Sequence, residues 1–234
     1  AGGTDLIDHV RTARLAPDLL VDIKKIAELN VLEIGPAGLR VGAAVPCHRI
    51  IADEAVRRDY SALADACSII GGVQIQSRAS VGGNLCNSGP AADSIPALIA
   101  LEATCVIAGL SGRREVPVGE FCTGPGRNVL QPGELLVELR MPARPARSGS
   151  HYRRFIPRNE MDIAVVGVGA SVTFDEDGET VKQARVGLGA VAATPLIAES
   201  AAQELIGKPL SDETLAAAAE AARGIITPID DMRG

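Results

Sequence analysis

The chain has 234 residues, 47% hydrophobic and 22% charged, with a formal net charge of -6; that size and balance bury a core and exclude a disordered or fibrous chain. Aromatic residues make up only 2%, with no Trp, two Tyr and three Phe. The core is therefore left to Ala, Val, Ile and Leu, and an acidic, ring-poor chain is not a nucleic-acid reader built on a basic face and stacking rings.

The longest apolar stretches, such as 161–172, fall well short of the roughly 20 residues of a membrane span, so no span is expected. No basic segment followed by an apolar one opens the chain. Cys47, Cys67, Cys86, Cys105 and Cys122 form no C-x-x-C pair. Reduced thiols in a cytoplasm are the expectation, each a small buried hydrophobe rather than a metal ligand. The chain opens at Ala1 inside a glycine-rich motif, and segments are expected to be missing at both ends.

In chain order, residues 31–44 place two short apolar runs either side of Gly35-Pro36-Ala37-Gly38, a hairpin pattern. From Cys47 to Ile70 apolar residues recur at helical spacing with a break near Tyr60-Ser61, which predicts two short helices. Residues 72–92 show no periodicity. A helix is predicted from Ser94 to about Leu101, with Pro96 in its first turn. Strands are predicted at 103–108 and 135–141, on either side of a Gly-Pro-rich loop.

The stretch 142–150, PARPARSGS, marks a domain boundary. Beyond it, 151–157, 163–174 and 180–191 read as three strands, the last two joined across an Asp-Gly turn at Asp177-Gly178. Two helices close the chain. One is capped by Thr194 and ends near Gly207; the other is capped by Ser211 and carries Leu215, Ala218, Ala219, Ala222 and Ile225 on one face. Strands followed by helices make an α+β layer. The division is 1–147 and 148–234, with the first part split into subdomains of about 1–52 and 53–147.

Two glycine motifs carry chemistry. Gly2-Gly3-Thr4-Asp5 sets two residues without β-carbons beside a hydroxyl, so backbone N–H groups can converge on an anion; the same residues also suit an ordinary turn. Ser80-Val81-Gly82-Gly83-Asn84 repeats that chemistry, and together the two loops could clamp a diphosphate from opposite sides. Neither matches the dinucleotide fingerprint or the phosphate loop. Asp93 reads either as a helix N-cap or as a partner for a sugar or ribityl hydroxyl. His9, His48 and His151 assemble no nucleophile–base set, and Arg78 and Arg127 face either a nucleotide or solvent.

These motifs, with Pro90-Ala91-Ala92-Asp93, Gly124-Pro125-Gly126-Arg127, Gln131 to Leu136, Arg154 to Arg158, Asp162-Ile163-Ala164 and Asp230 to Gly234, resemble in order the FAD-binding medium subunit of molybdenum hydroxylases, the family of xanthine dehydrogenase and aerobic carbon monoxide dehydrogenase. The resemblance implies a vanillyl-alcohol-oxidase-type (PCMH-type) flavin domain of two α+β subdomains. It also implies a C-terminal three-stranded antiparallel sheet with helices.

The resemblance further implies that Gly2, Gly3, Thr4 and Asp5 lie along the FAD diphosphate, that Ser80, Val81, Gly82, Gly83 and Asn84 cover it, and that Asp93 bonds the sugar or ribityl chain. Ile70, Leu136 and Arg154 would contact the flavin, where a cation favours the reduced anionic ring. In the pair Arg153-Arg154 one side chain must face solvent. Iron-sulfur clusters and the molybdenum cofactor would belong to a small and a large partner subunit, with NAD, quinone or oxygen as acceptor. A stand-alone flavin oxidoreductase and a non-enzymatic nucleotide-binding module are the other readings.

Overall fold

The computed structural model describes residues 2–159 and 161–231. Ala1 of the first motif and the terminal Met232-Arg233-Gly234 therefore lie outside the described residues. A short helix α1 (Leu6–Arg11) follows the first glycine motif, and the hairpin β1 (Leu32–Gly35) and β2 (Gly38–Gly42) forms where it was expected. Between Cys47 and Ile70 there are three helices rather than two: α2 (Cys47–Ala52), α3 (Glu54–Asp59) and α4 (Ser61–Ile69). The additional break is Asp53, whose carboxylate accepts from the N–H groups of Ala55 and Val56 and so starts α3.

The stretch without periodicity contains α5 (Val73–Gln76) and α6 (Val81–Asn87), too short to show a helical repeat. Then come α7 (Ser94–Ala100), β3 (Thr104–Gly109), β4 (Gly112–Pro117), the small ribbon β5 (Cys122–Gly124) and β6 (Arg127–Asn128), and β7 (Leu135–Pro142). The second part holds β8 (Ser148–Phe155), β9 (Val166–Phe174), β10 (Val181–Gly189), β11 (Leu196–Ile197), α8 (Glu199–Gln203) and α9 (Asp212–Arg223).

The class is α+β. One sheet runs β1-β2-β7-β3-β4, all antiparallel, and unites strands from both sides of residue 52. Its central strand β7 carries the buried Glu138, which accepts from Arg40 at 2.8 and 3.0 Å and from Arg140 at 2.7 Å.

The second sheet runs β11-β10-β9-β8, so the three expected strands gain a fourth. Leu196 and Ile197 pair with Leu188 and Gly187, and the Ala198 N–H donates to Val186. That pairing holds the backbone extended where Thr194-Pro195 promised a helix, and α8 starts only at Glu199. Ser211 does cap α9, through a reciprocal pair of bonds with Thr214. Ala218, Ala222 and Ile225 pack inward, whereas Leu215 stays 49% exposed.

Alternation along β9 explains how the two parts join. Val166, Val168 and Phe174 face α8 and α9 in one apolar cluster with Val186 and Leu188. The opposite face carries Gly167, Gly169, Ser171 and Thr173, and Gly169 and Gly167 pair across to Gly187 and Gly189 of β10. Against this glycine patch lies α7, every residue of which is buried.

A β-carbon at Gly169 would collide with the Pro96 carbonyl, and one at Gly187 would sit 2.6 Å from the same oxygen. The sheet also satisfies carbonyls at the C-terminal end of α7: Arg185 Nε donates to Ile99 O at 2.7 Å and Ser171 Oγ to Ala100 O at 2.6 Å. Gly169→Ala is expected to destabilise the protein by about 2 kcal/mol, the usual cost of overpacking against rigid backbone, read as a lower urea midpoint with unchanged slope.

A second structural consequence concerns the loop 131–134. Glu134 accepts two bonds from Arg114, at 2.7 and 2.8 Å, and one from the Gln131 N–H. Led by the Arg114 bonds, these hold its carboxyl down at about 2. Because the folded-state value is depressed, the contribution of this anchor is complete above the ordinary carboxylate range and is lost as pH falls through about 2. Carboxyl NMR titration should place the Glu134 midpoint there, and Arg114→Ala should return it towards the ordinary range.

Candidate functional site

The two glycine motifs meet. A β-carbon at Gly2 would overlap the carbonyl of Arg78, so the first loop lies directly on the backbone that leads into the second. Gly3 has φ +79°, a left-handed conformation that suits glycine. Ser80 caps α6 by accepting from the Gly83 N–H at 3.1 Å.

Gly82 is buried, its Cα packed against Ala43, where an added β-carbon would sit 2.5 Å from the carbonyl oxygen. Gly83 is different: an added β-carbon there would meet only Ser80 Oγ, at 3.1 Å. Gly82 thus serves packing, and Gly83 leaves a bare stretch of backbone facing outward.

Between the loops is a cleft of about 560 Å³. Gly2, Gly3, Thr4, Asp5, Ile70, Ser80, Gly83 and Asn84 all line it, joined by Arg78 and Lys24. Asn84 Oδ1 accepts from Ser94 Oγ at 2.6 Å, which leaves the amide nitrogen as its remaining donor. Val81 is buried beneath the cleft with Gly82, and Leu136 belongs to the main core at 1% exposure. The third motif supports α6 from below: Asn128 Nδ2 donates to Cys86 O at 2.9 Å and the Gly126 N–H to Ser88 O at 3.0 Å.

Asp93 is not an N-cap, for its side chain makes no bond to the start of α7. Instead it accepts from Arg154 Nη1 at 2.7 Å and from the Tyr152 hydroxyl at 2.9 Å. Of the arginine pair, Arg153 is exposed and the Arg154 side chain is 6% exposed.

Tyr152 and Arg154 alternate on β8, opposite Gly169 and Gly167. An added β-carbon at Gly167 would strike the Tyr152 hydroxyl, so the glycine patch makes room for this pairing as well. Burial pushes the Asp93 carboxyl above the usual range, against the pull of Arg154 and the Tyr152 bond. Burial, reinforced by the neighbouring Asp93, pushes the Tyr152 phenol up, so it remains a donor.

A second cleft of about 380 Å³ beside Ile69 is lined by Tyr152, Arg154, Asp65 and His151, the last two joined at 2.6 Å. Tyr152 and the Asp65–His151 pair went unseen in the sequence because 59 and 86 residues separate the partners. No spacing rule reaches that far.

All five cysteines are free, with Cys47, Cys67 and Cys105 fully buried. Among the described residues no helix is long and apolar enough to cross a membrane.

Residues 1–144 match the family model described as the FAD binding domain in molybdopterin dehydrogenase, and residues 150–234 match that of the CO dehydrogenase flavoprotein C-terminal domain. The chain belongs to the flavoprotein subunits of the molybdenum hydroxylases. This flavoprotein subunit is 32% identical over its full length to the carbon monoxide dehydrogenase medium chain of Hydrogenophaga pseudoflava and 33% identical to the xanthine dehydrogenase FAD-binding subunit of Escherichia coli O157:H7, covering 80% of each.

Its fold matches a solved chain of the Hydrogenophaga pseudoflava carbon monoxide dehydrogenase with a TM-score of 0.92 at 34% identity, over all of this chain and 80% of that one. The flavoprotein subunit is therefore an oxidoreductase component whose cofactor is FAD.

The Asp93–Arg154 pair gives a direct test of the site's architecture. Asp93→Ala strands a buried guanidinium and is expected to cost about 3–5 kcal/mol; Asp93→Asn, which keeps an acceptor for Tyr152, should cost less. Chemical denaturation of the two variants orders them.

Proposed function

We propose that this subunit holds FAD in the cleft between its glycine motifs, receives electrons from iron-sulfur clusters on a small partner subunit, and delivers them to an acceptor such as NAD, quinone or oxygen. The substrate would be oxidised at a molybdenum centre on a large partner. One observation carries the reading: two glycine loops distant in sequence converge on a single cleft, with Gly83 lining it and presenting no side chain.

The residues present suit the group. Gly2, Gly3 and Gly83 admit close approach of a diphosphate to the main chain, and Thr4 and Arg78 add a hydroxyl and a cation, while Lys24 at the same cleft is paired with Asp22 at 3.2 Å. Ile70 offers an apolar edge, and Asn84, fixed by Ser94, presents its amide as a donor to a ribityl or sugar hydroxyl. When bound, the flavin supplies the one- and two-electron redox chemistry. The chain's own residues position it.

In this reading Asp93 and Arg154 act as a pair. Asp93 neutralises Arg154 in the resting arrangement, and Tyr152 holds the carboxylate in place. The ion pair carries no net charge, so its part is to fix β8 against the start of α7 without leaving a free buried cation. Leu136 acts through packing, as part of the wall behind the site.

Gly83→Val tests the proposal. A branched side chain there meets no distant backbone and presses only on the Ser80 hydroxyl, which can shift by a few tenths of an ångström, so folding should survive, while the space for a phosphate is lost. The expected result is at least about tenfold lower flavin content in the purified subunit, consistent with losing one or two charge-assisted hydrogen bonds, with a melting temperature close to the parent's. A variant that keeps its full visible flavin absorbance would refute the assignment. Gly82→Val, which drives into Ala43, should instead fail to fold.

A further inference from the structure

Apart from the glycine cleft, a crevice of about 430 Å³ is lined by Arg144 of the β7–β8 connector, by Ser171, Thr173, Gln183 and Arg185 of the second sheet, and by Glu102. The register sets this polar wall: Arg185 lies opposite Ser171 and Gln183 opposite Thr173. These four continue the face that, further along, is all glycine.

Ser171 is committed to Ala100 O, and the Nε of Arg185 to Ile99 O. That bond fixes the Arg185 guanidinium and leaves its terminal nitrogens as donors. Thr173 is buried.

Arg144 is the anomaly. Its Nε is shut off from solvent and has no hydrogen-bond partner among the described residues. A buried donor without an acceptor is costly, and a guanidinium more so. Desolvation pushes Arg144 below the usual arginine range, opposed by the field of Glu102. Glu102 itself is exposed and forms no ion pair with it among the described residues. Two arginines therefore line a crevice whose only lining carboxylate among the described residues is the exposed Glu102.

We propose that this crevice binds a small oxyanion of the phosphate class, inorganic phosphate or a phosphate monoester, between Arg144 and Arg185, with Thr173 and Gln183 as further donors. Guanidinium forks match phosphate oxygens in charge and in geometry. A phosphate group carries more acceptor oxygens than a carboxylate and so can meet more of the donors that line the crevice. A ligand there would bridge the connector and the second sheet, tying the two layers together.

The test is calorimetric titration of inorganic phosphate, at constant ionic strength, into the flavin-loaded full chain, where the dinucleotide cleft is already filled. Saturable binding is expected. Arg144→Gln, which loses no protein hydrogen bond and so keeps its fold and flavin, should weaken it at least about tenfold, the effect of one charge-assisted bond. Glu102→Gln should tighten it by removing a like charge. Absence of saturable binding, unchanged affinity in Arg144→Gln, or acetate binding as tightly as phosphate would each overturn the proposal. A phosphate monoester competing with inorganic phosphate more strongly than expected from charge alone would identify the ester as the form recognised.

Discussion

The contact between α7 and the glycine face of the second sheet is the constraint on which the rest of the structure depends. Gly167, Gly169, Gly187 and Gly189 form a two-by-two patch with no side chains, and a helix with every residue buried lies on it. At Gly169 and Gly187 main chain packs against the main chain of α7, at Gly189 against the Pro96 ring and at Gly167 against the Tyr152 hydroxyl, so a β-carbon at any of the four is an intrusion. The sheet returns the favour electrostatically, since Ser171 donates to the Ala100 carbonyl and Arg185 adds a second bond to the Ile99 carbonyl, which also accepts from the Glu102 N–H.

Both candidate sites take their geometry from this contact. The residue before α7 is Asp93, and the first residue of α7 is Ser94, which fixes Asn84 at the edge of the glycine cleft. Seating α7 on the sheet brings Asp93 within bonding distance of Tyr152 and Arg154 on β8. At the other end of the same face, Ser171, Thr173, Gln183 and Arg185 replace the glycines and open the crevice that includes Arg144. One sheet face thus serves packing in the middle and carries polar side chains at its two ends.

The glycine cleft follows a different logic. Its glycines divide the labour: Gly2 and Gly82 permit backbone to lie on backbone, while Gly3 and Gly83 leave main chain open to the cleft. In the proposed function such a surface lets a diphosphate bridge approach the main chain closely, with Arg78 beside it. Membership of the molybdenum-hydroxylase flavoprotein family and the local chemistry agree on FAD.

The sequence by itself determined the α+β class, the hairpin at 31–44, α7, the three long strands β8, β9 and β10 and the capped α9, because each rests on local periodicity, turn residues or a capping pattern. It also marked both glycine motifs, whose residue types announce bare backbone. Tertiary structure alone decided which of those glycines face the cleft and which are buried, that Asp93 binds Arg154 rather than capping its helix, and that Tyr152, Glu138 and Arg144 matter. It also overrode the helix promised by Thr194-Pro195, since pairing with β10 outweighed local preference. These outcomes depend on partners tens of residues away, and a chain's local pattern carries no record of which distant backbone will fill the space beside it.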